Sequence, residues 1–358
     1  MFPRAEARRE QQRFSRFSPA GIAISALLLW WALHDVSFGE AWNQLAGIRI
    51  VPFIGMVLLA TARYPLVTVQ WRYILRTDGE PLPFVPLWHA TAIGFMANNV
   101  LPARTGELAR AYAARQLSAV SFSTALASVA VEHIMSGIVL VTMLAVGIWA
   151  GGFADGVVIG GMTLGRLARG AGLLVGLALL AAIIIVRWPT PARRMTSKIA
   201  TFLLPARYAE KVEAFAAGLL DGLLVLTSAR QSTVVMFWNW VVWLVSAGAT
   251  WCALLAFNID VPWSAVFLLQ GVFGLVGAIG VIGAFEAVTK FVLVLYAVDA
   301  TQAVSCAVVW HVSTYLPITV LGLWSLSANQ LRLRDFASWG TAGTTTERSR
   351  RESQLEAS

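Results

Sequence analysis

Residues 121–149 read SFSTALASVAVEHIMSGIVLVTMLAVGIW. The only ionisable side chains in this run are Glu132 and His133. A helix needs about 20 predominantly apolar residues to cross a bilayer, and this stretch exceeds that. Working outward, comparable runs occupy 18–35, 51–70, 170–187, 231–257 and 303–327. Over all 358 residues, 58% are hydrophobic and only 13% charged, whereas a soluble domain carries about 25% charge. A soluble fold of this length has no interior large enough to hide that apolar surface. The composition therefore excludes a soluble enzyme, a disordered chain and a secreted disulfide scaffold. The two cysteines, Cys252 and Cys306, both lie in apolar runs, which excludes a disulfide framework and a cysteine-based zinc site.

Charge is confined to patches. Residues 1–17 hold 7 charged side chains, residues 187–230 hold 10 and residues 328–358 hold 9, out of 27 Lys/Arg and 19 Asp/Glu. Basic residues flanking spans favour the cytoplasmic side. With all three patches inside, six full spans are expected, and both termini are cytoplasmic. Residues 1–17 then form a basic tail before an uncleaved first span. Residues 18–186 form a first membrane half, and 187–230 a cytoplasmic connector whose residues 207–229 have the pattern of an amphipathic surface helix. Residues 231–330 form a second half, and 331–358 a disordered cytoplasmic tail. The net charge of +8 suits an anionic inner leaflet, and no soluble basic domain exists to bind nucleic acid. The tryptophans near span ends (Trp30, Trp31, Trp71, Trp188) fit interfacial belts. Gly172 and Gly176 have the spacing of a small-residue helix contact.

Two further apolar stretches are interrupted. Region 84–118 contains ANNVLPARTGELARAYAAR (97–115), and region 263–300 contains GLVGAIGVIGAFEAVTK (274–290). Pro102, Gly106 and the glycines 274, 277, 280 and 283 oppose one continuous helix. Each stretch is expected to enter and leave the membrane on one side, the first from the cytoplasm and the second from outside. The halves also share a register. Glu286 follows Glu107 by 179 residues, His311 follows His133 by 178, and Trp251 follows Trp71 by 180. The chain thus reads as all-α and polytopic, with two re-entrant stretches in an inverted repeat of the kind transporters build around a midplane site.

Intramembrane charges are costly and mark function. In the first stretch Arg104, Glu107 and Arg110 fall on roughly one helix face, behind Asn98 and Asn99 at a helix end. Guanidinium forks match phosphate oxygens, and Glu107 is expected to orient the two arginines. In the second, Glu286 and Lys290 are spaced as i, i+4 partners. Glu132, His133 and His311 lie inside spans, and Arg63 is expected to pair with a glutamate. No nucleotide fingerprint, nucleophile elbow or metal set is present, so no enzyme activity, cofactor or metal is expected.

Taken together, LPARTGELAR (101–110), VEH (131–133) and GVIGAFEA (280–287) resemble the flippase-like integral membrane family, that of the transmembrane part of lysylphosphatidylglycerol synthetase. The resemblance runs over about residues 20–330. It implies a polytopic inner-membrane protein whose proposed role is lipid translocation. It carries Pro102, Arg104, Gly106, Glu107 and Arg110 from the first motif, and Gly280, Gly283 and Glu286 from the second. The family usually shows Glu-Arg where this chain has Glu132-His133, and often Arg where it has His311. Its second motif usually opens with Pro-Gly, whereas Ile279 precedes Gly280 here. The synthetase domain of the bifunctional members is expected to be absent. The expected ligand is a membrane phospholipid or lipid-linked headgroup, held by Arg104, Glu107, Arg110, Glu132, His133, Glu286, Lys290 and His311. Asn99, Pro102, Gly106, Gly280 and Gly283 shape the broken stretches. The rival reading is a non-transporting subunit that docks a lipid for a partner enzyme, and homo-oligomerisation fits either reading.

Overall fold

The computed structural model describes residues 46–75, 82–100, 105–118, 120–153, short pieces between 158 and 180, 229–277 and 283–331. Among them are eight helices. The first four are α1 (Ile50–Ile74), α2 (Phe84–Val100), α3 (Gly106–Leu117) and α4 (Phe122–Ala150). The second four are α5 (Ala229–Ala256), α6 (Trp263–Gly277), α7 (Ala284–Leu295) and α8 (Ala300–Ala328). Between the sets, Val158–Ile159 and Met162–Thr163 form a two-residue antiparallel pair.

Four helices (α1, α4, α5 and α8) are long and apolar enough to cross a membrane. Four of the six expected spans are thereby found. The span at 18–35 lies outside the described residues, and 170–187 does so apart from scattered helical positions up to 180. The 1–17 tail, the amphipathic stretch at 207–229 and the tail after Leu331 also lie outside them, apart from Ala229.

Each set runs long, short, short, long. The short helices are the two interrupted stretches of the sequence. At 1.5 Å per residue, the 17 residues of α2 span about 25 Å and the 12 of α3 about 18 Å, less than a hydrocarbon core of about 30 Å. Neither short helix of the first hairpin is long enough to cross upright, and α6 (15 residues) and α7 (12 residues) are no longer.

The turns are chemically explained. Thr105 at the start of α3 offers no side-chain cap. Asn98, from the last turn of α2, caps instead: the Gly106 N–H donates to Asn98 Oδ1 at 2.8 Å. Gly106 faces Gly94 across the hairpin, and any Cβ on it would run into the Gly94 carbonyl and the Asn98 carboxamide. In the second hairpin Gly283 opens α7 in the left-handed region, φ +83°, where a side chain is strained.

Helices pack by exchange between the sets: α1 lies on α5, α2 on α8, and α6 on α4. The α1–α5 pair is antiparallel along its whole length. Arg49 N–H donates to the Ala256 carbonyl at 2.9 Å, Gly55 approaches Cys252, Gly248 approaches Leu59, and Gln231 Nε2 donates to the Tyr73 carbonyl at 2.9 Å. The other two contacts are also antiparallel. Gly271 meets Leu144 and Gly274 meets Leu140, while His89 meets Ser325 and Asn99 meets Thr319. Glycines let these backbones come close: a Cβ on Gly271 would lie 2.6 Å from Leu144 Cα.

The hairpin tips reach the middle of the opposite set. Asn99 Nδ2 donates to Thr319 Oγ1 at 3.0 Å, near the centre of α8. Gly274, one turn from the end of α6, lies against Leu140 near the centre of α4. Two large cores follow, one around Trp71, Ile93 and Met96, the other around Phe257, Leu268 and Leu293, with a small third cluster of Tyr64, Ala92 and Ile318. Large apolar side chains stay on the outside, among them Ile54, Leu58, Val312, Leu316 and Val320. That is the pattern of helices solvated by lipid. Of the Gly172/Gly176 pair, a Cβ on Gly172 would meet Val141 Cγ1 at 3.4 Å.

Candidate functional site

Two glutamate–histidine pairs occupy matching positions in the two sets. Glu107, in the first turn of α3, lies 3.8 Å from His133 Nε2 on α4. Glu286, in the first turn of α7, lies 2.6 Å from His311 Nδ1 on α8. Both carboxylates sit where a short helix begins, so each is favoured by unpaired backbone N–H groups there. The pairing follows from the shared register, in which each glutamate precedes its histidine by 25 or 26 residues.

The pairs differ in setting. The His133 side chain is 57% exposed, and its Nδ1 lies 2.8 Å from the Val129 carbonyl. A carbonyl only accepts, so Nδ1 carries the proton and Nε2 faces Glu107. Asn98 Nδ2 also approaches Glu107, at 3.4 Å. His311 is more enclosed, between the rings of Phe285 at 4.8 Å and Tyr315 at 4.1 Å. Its Nδ1 donates to the Glu286 carboxylate, whose Oε2 is buried without a partner.

Arg110 has a different partner from the one its spacing suggests. The expectation that Glu107 orients Arg110 is corrected: Glu107 faces Asn98 and His133, while Arg110 is held by Glu132 on α4. Arg110 Nη1 lies 3.2 Å from Glu132 Oε1 and 3.0 Å from Oε2. The guanidinium carbon sits 3.9 Å over the Trp71 ring. Trp71 is fixed in turn, its Nε1 donating to Ser128 Oγ at 2.7 Å. It is wholly buried, so it is a platform for Arg110 and not part of an interfacial belt. Arg110 Nε and Nη2 are buried and have no partner among the described residues. Arg104, Pro102 and Gly280 lie outside the described residues.

In the second stretch Glu286 takes His311 on α8 as a partner. Lys290 is buried in α7. Arg63 pairs with no glutamate among the described residues; it lies over Phe95 at 5.7 Å and Trp243 at 5.2 Å. Sequence reading missed Asn98 as the cap and Trp71 as the platform.

The halves of the site connect through neighbouring residues. Asn98 touches Glu107, and Asn99 next to it reaches the Tyr315 carbonyl at 3.5 Å as well as Thr319. Tyr315 meets His311 edge to face, and His311 holds Glu286. The tip of the first hairpin thus links one glutamate–histidine pair to the other.

Long apolar helices, short paired helices and buried charge in their turns define a multi-pass, all-α membrane protein. The family described as lysylphosphatidylglycerol synthase TM region matches residues 19–322, and the chain belongs to it. Neither a curated protein nor a solved structure matches the chain.

Proposed function

We propose that the protein moves a phosphate-bearing lipid, or a lipid-linked headgroup, across the cytoplasmic membrane. The observation that carries this reading is Arg110. Its guanidinium is buried and spends one nitrogen on Glu132, which leaves Nε and Nη2 unused among the described residues, inside a membrane hairpin. Unsatisfied buried donors are costly, and a phosphate's oxygens are geometrically suited to two parallel guanidinium donors.

The antiparallel packing of the two four-helix sets supports an inverted repeat, with the first hairpin opening to the cytoplasm and the second to the outside. The first hairpin presents Arg110 with Glu107 and His133, and the second presents Glu286, His311 and Lys290. Exchange of the open side would carry a headgroup between them, with the acyl chains left in the surrounding lipid. Membership of the family is consistent with this role.

The test is transbilayer movement of fluorescent anionic and isoprenoid-phosphate lipids in proteoliposomes. Wild type is expected to move one of these classes. Glu107→Gln and Glu286→Gln are expected to lose the movement while remaining folded. Movement retained in both variants would refute the assignment of the pathway. The absence of any movement by folded wild type would favour the rival reading, a subunit that docks a lipid for a partner enzyme.

A further inference from the structure

The centre of the α1–α5 crossing holds a charge that neither glutamate–histidine pair uses. Arg63 stands 13 residues from the start of α1 and 11 from its end, so about 17–20 Å of helix separates it from either end. Trp243 occupies the matching middle of α5. Arg63 lies against the rings of Trp243 and Phe95. Such contacts stabilise a cation, but they leave the in-plane N–H groups unspent. Arg63 Nε is buried without a partner among the described residues.

Other donors nearby share this condition. Trp243 Nε1 and, one turn earlier on α5, Asn239 Nδ2 are buried and unbonded. Asn239 is wholly buried, and its oxygen already accepts from Ser136 Oγ at 3.1 Å. Ser136 stands one turn after Glu132, the partner of Arg110. A row of unused groups therefore leads from the first hairpin to the middle of the molecule: Arg110 Nε and Nη2, Asn239 Nδ2, Trp243 Nε1 and Arg63 Nε. All five are donors, and the one unbonded acceptor beside them, Glu132 Oε2, faces the charged Arg110 Nη1 at 3.0 Å. A row of buried donors around a cation, deep between apolar helices, is complementary to an oxyanion.

We propose that Arg63, Trp243 and Asn239 form a midplane binding site for a phosphate group, occupied between release from Arg110 and capture by the second hairpin. This rests on the translocation reading above and gives it an intermediate position. The guanidinium supplies charge, and the indole and carboxamide supply further hydrogen bonds to the phosphate oxygens. The phosphate belongs to a lipid headgroup or to a soluble phosphate.

The test uses purified full-length protein in detergent, with dioctanoyl phosphatidic acid, inorganic phosphate and uncharged dioctanoylglycerol as probes. Charged hydrogen bonds contribute about 1.5–3 kcal/mol, so Arg63→Met should weaken phosphatidic acid binding about ten- to hundredfold. Asn239→Leu should weaken it in the same direction. Because an empty site leaves Arg63 under-satisfied, Arg63→Met should unfold no earlier than wild type. Phosphate binding that is also lost in Arg63→Met marks a soluble phosphate as ligand; loss confined to the lipid marks a headgroup. Unchanged phosphatidic acid affinity in Arg63→Met would overturn the proposal. So would an equal loss for dioctanoylglycerol, or earlier unfolding with binding per folded molecule intact, since these are the marks of an acyl contact and of a packing role. Binding lost in Arg63→Met by a protein that moves no lipid would retain the site and refute translocation. Unchanged binding alongside normal lipid movement would refute the site alone.

Discussion

Glu132→Leu is the substitution whose cost follows most directly from the geometry. Arg110 Nη1 lies between both Glu132 oxygens at 3.2 and 3.0 Å, and the two side chains are only 6% and 11% exposed. Removing one member of a buried ion pair strands the other, at about 3–5 kcal/mol. The Trp71 face, 3.9 Å from the guanidinium, is unchanged in the variant and still stabilises the cation by about 2 kcal/mol, so it does not offset the loss. Glu132→Gln keeps one acceptor and should cost less, about 1.5–3 kcal/mol. Replacing both residues, as Arg110→Met with Glu132→Leu, removes the charge problem altogether. The double variant should therefore be nearly as stable as wild type, giving a coupling of about 3 kcal/mol or more. Equilibrium unfolding in mixed micelles, read across the four proteins, measures this cycle. Additive single effects, or a Glu132→Leu protein as stable as wild type, would refute a buried pair.

Gly106→Val should lower stability by about 1–3 kcal/mol or prevent folding, because the hairpin backbones leave no room beside Gly94 and Asn98; the same unfolding assay reads it. Asn98→Ala should cost about 0.5–2 kcal/mol through loss of the α3 cap, and Asn98→Asp, which keeps the acceptor, should recover part of that. Gly283→Ala should cost about 1–2 kcal/mol, since φ is +83° there.

The interrupted stretches were legible in the sequence because helix-breaking residues and charge leave a local signal. Pro102 with Gly106, and the glycine series ending at Gly283, marked two hairpins that the structure describes as α2–α3 and α6–α7. The shared register of Glu107/His133 and Glu286/His311 was legible too, since each glutamate precedes its histidine by 25 or 26 residues. The partner of Arg110 was not. Local spacing favoured Glu107, three residues away, but on α3 that side chain turns toward Asn98 and His133, and the residue that reaches Arg110 comes from another helix. Arg63 misled for a related reason. A lone cation in an apolar helix suggests a carboxylate partner, whereas the packing of α1 on α5 supplies aromatic faces. Trp71 illustrates the same limit: its place at a span end resembles an interfacial anchor, and only the packing of α3 and α4 shows it buried under a guanidinium.

The proposed exchange of the open side requires the first hairpin, seated on α8, to move as a lipid crosses. Asn99 and Thr319 touch at 3.0 Å between the tip of α2 and the middle of α8. The decisive measurement is lipid movement in proteoliposomes by Asn99→Cys/Thr319→Cys protein lacking Cys252 and Cys306, before and after bridging with a short reducible cross-linker. Movement that stops on cross-linking and returns on reduction is the predicted result. Undiminished movement by fully cross-linked protein, or no movement by the unbridged protein, would contradict the account.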